Sequence, residues 1–324
     1  MKFKKIGLAL MAAALGSSFN PAQAQSAPYP ERPVHIVVGF PPGGAPDTLA
    51  RLLAEHFSLG QPLVVDNKTG AGGNLGGETV AKAKPDGYTV MMGGIATHSI
   101  NGTLYPHLPF DMVKDFTPIV LVASTPNVLV AHPSVPAQNV TELVALAKAR
   151  PGELSYGTPG IGTSPHVAGE MFNAMAGVKL NHVPYRGRAM AVPDLLAGHI
   201  NLMFDNLPSA LPAIREGKVR ALGITSLRRS ASAPDIPTLA EQGLKGFEAD
   251  SWLAIFGPGG MPADVQVRLA TEAMRVFALP EVQARMRALG LEPIVAGPAQ
   301  LAAHQRSEIA KWAKVIREAG IKAQ

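Results

Sequence analysis

Residues that can bind an anion without carrying a charge of their own occur together in segment 37–48. Residues 35–38 have the apolar, β-branched composition of a buried strand. Residues 40–44 then have the prolines and glycines of a tight turn, and leucines at helical spacing follow. Backbone N–H groups at the start of such a helix have no partner and can bind an anion. An ordinary βα turn has the same residues, so this segment alone leaves both interpretations open.

Three further glycine-rich turns follow the same pattern. They cover residues 70–74, 157–164 and 185–188, and each lies between a predicted strand and a predicted helix. In sheets built from such units, ligands bind beyond the carboxyl ends of the strands. Backbone N–H groups, together with the hydroxyls of Thr158, Thr163 and Ser164, can bind carboxylates without net charge. Two turns lie in each half of the chain, which predicts a ligand between two lobes that close on it.

Motifs for catalysis and for cofactors are absent from the sequence. The nine histidines form no H-x-H, H-E-x-x-H or H-x3-H pair, so no zinc site is predicted. Leu75 stands where a dinucleotide-binding turn beginning at Gly70 needs its third glycine, and no G-K-[ST] loop occurs. Residues 162–166 resemble the nucleophile turn of a serine hydrolase, but Pro165 removes the N–H that the oxyanion hole of such an enzyme uses. The sequence therefore predicts a binding protein without cofactor or metal, and not an enzyme.

The composition is that of a folded, exported protein. The chain has 324 residues, of which 47% are hydrophobic and 16% charged, which indicates a well-packed globular protein. It has no cysteine, which excludes disulfides and thiolate metal sites. Three lysines, an apolar run over residues 6–15 and an Ala-Gln-Ala motif predict a signal peptide over residues 1–24. No later run is long enough for a membrane helix, so we expect a soluble periplasmic protein.

The net charge argues against a nucleic-acid partner. The formal charge of the whole chain is +5, and three of these charges belong to the lysines of the predicted signal peptide. The mature chain is therefore nearly neutral, and it has no arginine–lysine run with interleaved aromatic residues. We expect a monomer that binds a small molecule and no nucleic acid.

The order of the predicted elements is that of an α/β protein with two lobes. A βαβαβ pattern over residues 35–92 predicts parallel strands with right-handed crossovers, residues 101–118 are predicted to be irregular, and a second α/β run begins near residue 140. Predicted helices near the C-terminus pack back on the first lobe. We assign residues 25–127 and 250–324 to the first lobe and residues 128–249 to the second.

Short motifs spread along the chain resemble those of one receptor family. They are Tyr29-Pro30, Arg32-Pro33, 40–44 with Asp47 and Ala50-Arg51, 70–74, 85–88, 114–118, 182–187, 204–206, 234–238 with Glu241 and Gly243, and Ser251-Trp252. Each motif alone is weak, but their order over most of the chain is specific. The chain resembles the extracytoplasmic solute receptors of the tripartite tricarboxylate transporter family, the Bug or TctC-type receptors.

This resemblance implies the type II periplasmic binding protein fold, in which two α/β lobes close on a small ligand. The ligand is usually a carboxylate, delivered to membrane permease subunits. The turns at 40–47 and 185–189 are implied to approach the ligand, partly through ordered waters, with the turn at 158–164 on the opposite wall. The candidate ligand-binding residues are Phe40, Pro42, Gly43, Gly44, Asp47, Thr158, Gly160, Thr163, Ser164, Gly187, Arg188, Ala189 and Asp205.

Three positions depart from the family's usual residues. Pro46 stands where a threonine or serine is common, Ile161 where an asparagine is common, and Arg188 where a small residue is usual, with Met190 near it. These changes remove polar groups from two turns and add a cation to a third. They put the usual dicarboxylate ligand in doubt.

Several alternatives stay open at the level of sequence. Arg188 either donates to the ligand's acid group or is a solvated residue at a helix start. Asp47 either complements the helix dipole or, like Asp205, pairs with an amine on the ligand. The receptor either serves a permease or presents its liganded form to a membrane sensor kinase of a two-component system.

Overall fold

The structure is a computed structural model that describes residues 29–322. The predicted signal peptide, residues 1–24, lies outside the described residues. The predicted α/β fold class is confirmed, because the described chain forms two separate sheets covered by helices. In this range no helix is long and apolar enough to cross a lipid bilayer.

Eleven strands are found in residues 29–322. In chain order they are β1 (Val34–Val38), β2 (Leu63–Asn67), β3 (Thr89–Gly94), β4 (Phe116–Thr125), β5 (Asn127–Ala131), β6 (Ser155–Thr158), β7 (Asn181–Pro184), β8 (Leu202–Asn206), β9 (Arg220–Ile224), β10 (Ser251–Pro258) and β11 (Glu292–Ala296).

The first sheet has six strands in the order β11-β4-β10-β3-β1-β2. β1 pairs in parallel with β2 and β3, as the βαβαβ pattern predicted. β10 returns from the second half of the chain and pairs antiparallel with β3 and β4. β11, which the sequence did not predict, pairs antiparallel with β4 through an irregular register. We call this sheet with its helices the first lobe.

The second sheet has five strands in the order β7-β6-β8-β5-β9. β6 is parallel to β7 and β8, and β5 is antiparallel to β8 and β9. Consequently β6 and β7 end at the same edge of this sheet, and the glycine turns that follow them lie side by side. We call this sheet with its helices the second lobe.

Ten α-helices cover the sheets in the described chain. They are α1 (Ala45–His56), α2 (Asn74–Ala81), α3 (Asn101–Leu104), α4 (Val140–Ala149), α5 (Ser164–Ala176), α6 (Arg188–Leu196), α7 (Leu207–Arg215), α8 (Ala263–Phe277), α9 (Pro280–Ala288) and α10 (Pro298–Ala319). A 3₁₀ turn at Ala71–Gly73 precedes α2, and a π-helix at Ala96–Ile100 precedes α3. The prediction that residues 101–118 are irregular was therefore wrong for the start of this segment, which is α3, and for its end, where β4 begins.

The C-terminal helices pack on the first lobe, as predicted. In α8, Val276 and Phe277 are fully buried in the same cluster as Leu49 of α1. In α10, Trp312 is fully buried, and its Nε1 donates to Glu308 Oε2 at 2.8 Å. Trp252 of β10 donates to the same oxygen at 3.1 Å, so one buried carboxylate joins α10 to the first sheet.

The two lobes are joined where the chain passes from β4 to β5 and from β9 to β10. Asn127 is fully buried at the first crossing. Its N–H donates to Thr225 Oγ1 at 2.8 Å, and its Nδ2 donates to Ala249 O at 2.7 Å. Its Oδ1 accepts a bond from Asn206 Nδ2 at 2.8 Å. A single residue thus links both crossings to the end of β8.

Glycine at position 73 is required for two reasons, which can be separated experimentally. Gly73 has φ +92°, and a Cβ there would lie 2.7 Å from Thr97 Cγ2. Gly260 has a similar φ of +80° but open space around it. We predict that Gly73→Ala lowers the free energy of unfolding by about 2–4 kcal/mol, from backbone strain plus overpacking. Gly260→Ala should cost only the strain, about 1 kcal/mol. Urea denaturation measures both, and equal losses would contradict the packing argument.

Candidate functional site

The first glycine turn leads from β1 into α1, as the sequence predicted. Pro42, Gly43 and Gly44 are exposed at its tip, and Gly43 has φ +87°, which glycine adopts without strain. Gly44 precedes α1 and has no side chain to cap the helix. Within the described chain, the N–H groups of Gly44 and Ala45 have no hydrogen-bond partner. These donors are therefore free for an anionic group.

Asp47 lies in the first turn of α1 and points back beneath the glycine turn. It is only 3% exposed. Its Oδ2 accepts bonds from Gly43 N and Arg51 Nε at 2.9 Å, and its Oδ1 accepts bonds from Arg51 Nη2 and Asn67 Nδ2 at 3.0 Å. These hydrogen bonds, above all that from Arg51, lower the pKa of Asp47 to about 2. Asp47 thus supports the turn from within the lobe, through bonds to Gly43, Arg51 and Asn67.

The second glycine turn packs directly on the first. A Cβ on Gly39 would lie 2.9 Å from Gly73 Cα, and the ring of Phe40, itself half-buried, lies against Gly73. On its other side the second turn contacts α3, where Asn101 Nδ2 donates to Gly72 O at 3.2 Å. The first turn, the second turn and α3 therefore form one continuous surface at the edge of the first sheet.

The π-helix after β3 is part of this surface, and sequence reasoning missed it. The methyl group of Thr97 lies beneath Gly73, and Thr97 Oγ1 accepts a bond from Gly94 N at 3.3 Å. π-helical turns are rare and are often found at functional sites. A signal was present, because Gly93-Gly94 ends a buried strand just as glycines do at the other turns.

The hydroxyls of the third turn are bonded within the protein. Thr158 is fully buried, and its Oγ1 lies 2.7 Å from His182 Nε2. Thr163 caps α5, and its Oγ1 donates to Gly160 O at 2.7 Å. Ser164 Oγ lies 3.3 Å from Asn127 Oδ1, to which it donates. Each of these three hydroxyls therefore has a hydrogen-bond partner within the protein.

Backbone donors remain at the third turn. Gly160 and Ile161 are half-buried, and their N–H groups have no partner within the described chain. Gly162 is buried, has φ +78°, and packs against Leu104 of α3. This contact brings a turn of the second lobe against the surface of the first lobe.

The fourth turn lies beside the third. Gly187 N donates to Pro159 O at 2.9 Å, and a Cβ on Gly160 would lie 3.1 Å from Tyr185 O. Gly187 has φ +109° and precedes α6, where Ala189 and Met190 are exposed. The four glycine turns are thus connected by contacts that run from the first turn, through α3, to the fourth.

Comparison with known proteins places this arrangement in a family. The model of the tripartite tricarboxylate transporter family receptor matches residues 49–321. The chain belongs to this receptor family.

Relatives of the receptor align with this chain along nearly their whole length. BugT of Bordetella pertussis is 38% identical over 297 residues, covering 91% of each chain. The solved structure of R. palustris Rpa4515 with adipate is 37% identical and covers 91% of this chain and 99% of its own, with a TM-score of 0.81. MatC of Rhodopseudomonas palustris with bound malate is 34% identical, covers 89% of this chain and all of its own, and has a TM-score of 0.77. The predicted periplasmic binding protein fold is therefore confirmed.

Arg188 of the receptor points into the second lobe. Its Nε donates to Asp205 Oδ2 at 2.7 Å, and its Nη2 donates to Ser209 O at 2.5 Å. Asp205 is 2% exposed, and burial raises its pKa, an effect that the neighbouring Arg188 opposes. The pair borders a cavity of about 10 Å³, which is otherwise lined by apolar side chains such as Met203. Arg188 therefore compensates a buried carboxylate instead of presenting a free cation.

Two histidines that are far apart in the sequence meet behind the third turn of the receptor. The rings of His166 and His182 are stacked with centroids 4.0 Å apart and planes 14° apart, and Glu170 lies beside them. A metal must lie in the plane of each imidazole that binds it, about 2 Å from the nitrogen. Two nearly parallel rings at this separation cannot satisfy that geometry for one ion, so the group does not suit a metal.

The hydrolase motif considered from the sequence is not assembled. Ser164 is buried and donates to Asn127, and within residues 29–322 no hydrogen bond joins it to a histidine. The Nδ1 of nearby His166 instead accepts a bond from Gly162 N. The Ser–His pair that activates a serine nucleophile is therefore not formed here.

Asp47 provides a first test of these internal hydrogen bonds. We predict that Asp47→Asn lowers the free energy of unfolding at pH 7 by about 1.5–3 kcal/mol, because charge-assisted bonds are lost. The folded-state pKa lies below the unfolded value, so this contribution is present above about pH 4 and is lost as the pH falls toward 2. Asp264→Asn is the matched control, an exposed acid in the first turn of α8, and should change stability by less than about 0.5 kcal/mol. A loss that is equal at pH 7 and pH 2.5 would contradict the assignment.

Arg188 provides a second test, which separates support from ligand contact. Arg188→Ala should lower the free energy of unfolding by about 2–3 kcal/mol, because Asp205 is left buried without its partner. The expected loss is smaller than for a fully buried pair, because the arginine is half exposed. Adding Asp205→Asn in the same chain should restore part of this loss. Urea denaturation gives both values. If Arg188→Ala leaves stability unchanged but weakens ligand binding, the guanidinium contacts the ligand instead.

Proposed function

We propose that the protein is an exported receptor that captures a small organic acid between its two lobes and delivers it to a membrane permease of the tripartite tricarboxylate type. One observation carries this proposal. The four glycine turns of both lobes are linked by contacts through α3, with Leu104 against Gly162 at the junction. Such a junction at the carboxyl ends of strands is where ligands bind in α/β proteins.

The donors available at the turns favour a carboxylate. The N–H groups of Gly44 and Ala45 in the first lobe, and of Gly160 and Ile161 in the second, have no partner within the described chain. N–H groups at helix starts and in glycine turns bind anions. Rpa4515 was solved with adipate and MatC with malate, and both ligands are carboxylates. We infer the same class of ligand for this receptor.

The predicted site residues then divide into two groups. We propose that Phe40, Pro42, Gly43, Gly44, Gly160, Gly187 and Ala189 form the surface that contacts the ligand. We propose that Asp47, Thr158, Thr163, Ser164, Arg188 and Asp205 support that surface, because each is bonded within its lobe or, for Ser164, to the crossing between the lobes. A site built in this way binds its ligand without any catalytic group, which supports a receptor and not an enzyme. We further propose that residues 1–24 are a signal peptide and that the receptor works in the periplasm.

Ligand binding is tested by a thermal-shift screen of the mature protein, stripped of ligand by unfolding and refolding. Adipate and malate head a panel of mono-, di- and tricarboxylates, with 1,6-hexanediol as the uncharged control. A ligand that binds only the native state stabilises it in proportion to its occupancy. We predict saturable stabilisation by at least one acid and none by the diol. Absence of stabilisation by every acid would overturn the proposed function.

The location of the site is tested by blocking it with a bulky side chain. Gly44 is exposed, has φ −78°, and has no contact closer than 3.7 Å for an added Cβ. We predict that Gly44→Trp leaves the fold intact and weakens acid binding at least about tenfold, the effect of losing one good contact. Ala263→Trp, at the exposed start of α8, is the matched control and should bind as the wild type. Equal affinities for the two variants would place the site elsewhere.

Delivery is tested in cells that lack the gene. Uptake of the acid identified in the screen should fall in these cells and return when the receptor is restored. Unchanged uptake, together with a lost transcriptional response to the acid, would instead favour the sensor-kinase partner.

A further inference from the structure

His166 and His182 each bond to a different residue of the third glycine turn. His166 Nδ1 accepts a hydrogen bond from Gly162 N at 3.1 Å. His182 Nε2 lies 2.7 Å from Thr158 Oγ1. His166 is 4% exposed and Thr158 is fully buried, so the bonds lie behind the turn and not on its outer face.

These two bonds determine which hydrogen-bond donors of the turn stay available for a ligand. Gly162 N and Thr158 Oγ1 are both directed toward the histidines, while the N–H groups of Gly160 and Ile161 stay without a partner in the described chain. Gly162 also packs against Leu104 of the first lobe. Gly162 is therefore bonded to His166 on one side and packed against the first lobe on the other.

We propose that His166 and His182 are positioning residues of the ligand-binding turn. They hold residues 158–162 in the one conformation that presents the free N–H groups to the ligand, without contacting the ligand themselves. The expected effect of the histidines on ligand affinity rests on the proposed function. Their expected effect on the conformation of the turn does not depend on any ligand.

The role requires that His166 is neutral and carries its proton on Nε2, because only an unprotonated Nδ1 accepts a bond. The groups that face His166 are consistent with this state. Glu170, on the same helix, lies 4.0 Å from His166 Nε2 and accepts a bond from Tyr156 of β6. His182 of β7 covers the ring face. Burial lowers the pKa of His166 to about 3 and that of His182 to about 4, so both rings are neutral at neutral pH.

The direct test compares two substitutions at position 166. Asparagine places an amide oxygen where Nδ1 stood and can accept from Gly162 N, whereas alanine cannot. We expect His166→Ala to speed amide hydrogen exchange in residues 158–164 of the ligand-free protein about tenfold, as loss of about one hydrogen bond predicts. We expect His166→Asn to stay within about threefold of the wild type by the same measure. His56→Asn, at the end of α1 in the first lobe, is the control.

Binding of adipate and malate, measured by titration calorimetry, extends the test to affinity. The dissociation constant should rise about tenfold in His166→Ala and much less in His166→Asn. Thr158→Val, which keeps the shape of the side chain but removes the partner of His182, should also weaken binding. If wild-type protein binds neither acid, the exchange experiment alone decides the positioning role.

Two results would overturn the proposal. One is unchanged hydrogen exchange of residues 158–164 in His166→Ala. The other is a nitrogen-15 spectrum at pH 7 that shows the proton of His166 on Nδ1, because that tautomer cannot accept from Gly162. A general loss of stability does not produce the expected pattern, since the asparagine variant restores the acceptor and removes the imidazole.

Discussion

The structure depends on the close approach of backbone segments at the strand ends. Gly39 lies against Gly73, Gly76 lies against Gly39, and Gly162 lies against Leu104. A side chain at any of these glycines would push two elements apart, since protein interiors are packed to crystal density. Because these contacts connect the turns to each other, separating one pair would also misplace the donors of the next turn. Glycine is therefore needed at these positions because it has no side chain and lets neighbouring elements pack closely. Its backbone freedom matters less here.

Two buried carboxylates near the turns are neutralised inside their own lobes. Asp47 is held by Arg51, and Asp205 is held by Arg188. A binding surface supported in this way offers an acid its backbone dipoles and little net charge. Recognition then depends on where N–H groups point and how far apart the turns lie, and less on the number of cations. Under the proposed function, this arrangement lets the receptor bind a carboxylate, such as the adipate of Rpa4515 or the malate of MatC, mainly through backbone donors.

The sequence predicted the features that are local and missed those that depend on distant partners. The four turns, the parallel pairing of the first three strands and the helices near the C-terminus were predicted correctly, because each has a strong pattern within a few residues. The strand β11 was missed because it contains Pro293, and Val295 has an unusual φ of +53°, so it lacks the pattern of a regular strand. The stacking of His166 on His182 was missed because residues 16 apart have no characteristic spacing and meet only when β7 pairs with β6.

Arg188 shows how a partner in another element changes the meaning of a residue. Beside a glycine turn, an arginine in the sequence suggests a cation for an anionic ligand. Asp205, which is 17 residues away at the end of β8, accepts its bond instead, and burial of that carboxylate leaves it no alternative partner of opposite charge within the described chain. The guanidinium is held in place because it compensates the charge of the buried Asp205 carboxylate. Breaking that pair to bind a ligand would again leave the carboxylate of Asp205 buried and unpaired. This cost favours the proposed recognition of the ligand by the backbone donors of the turn.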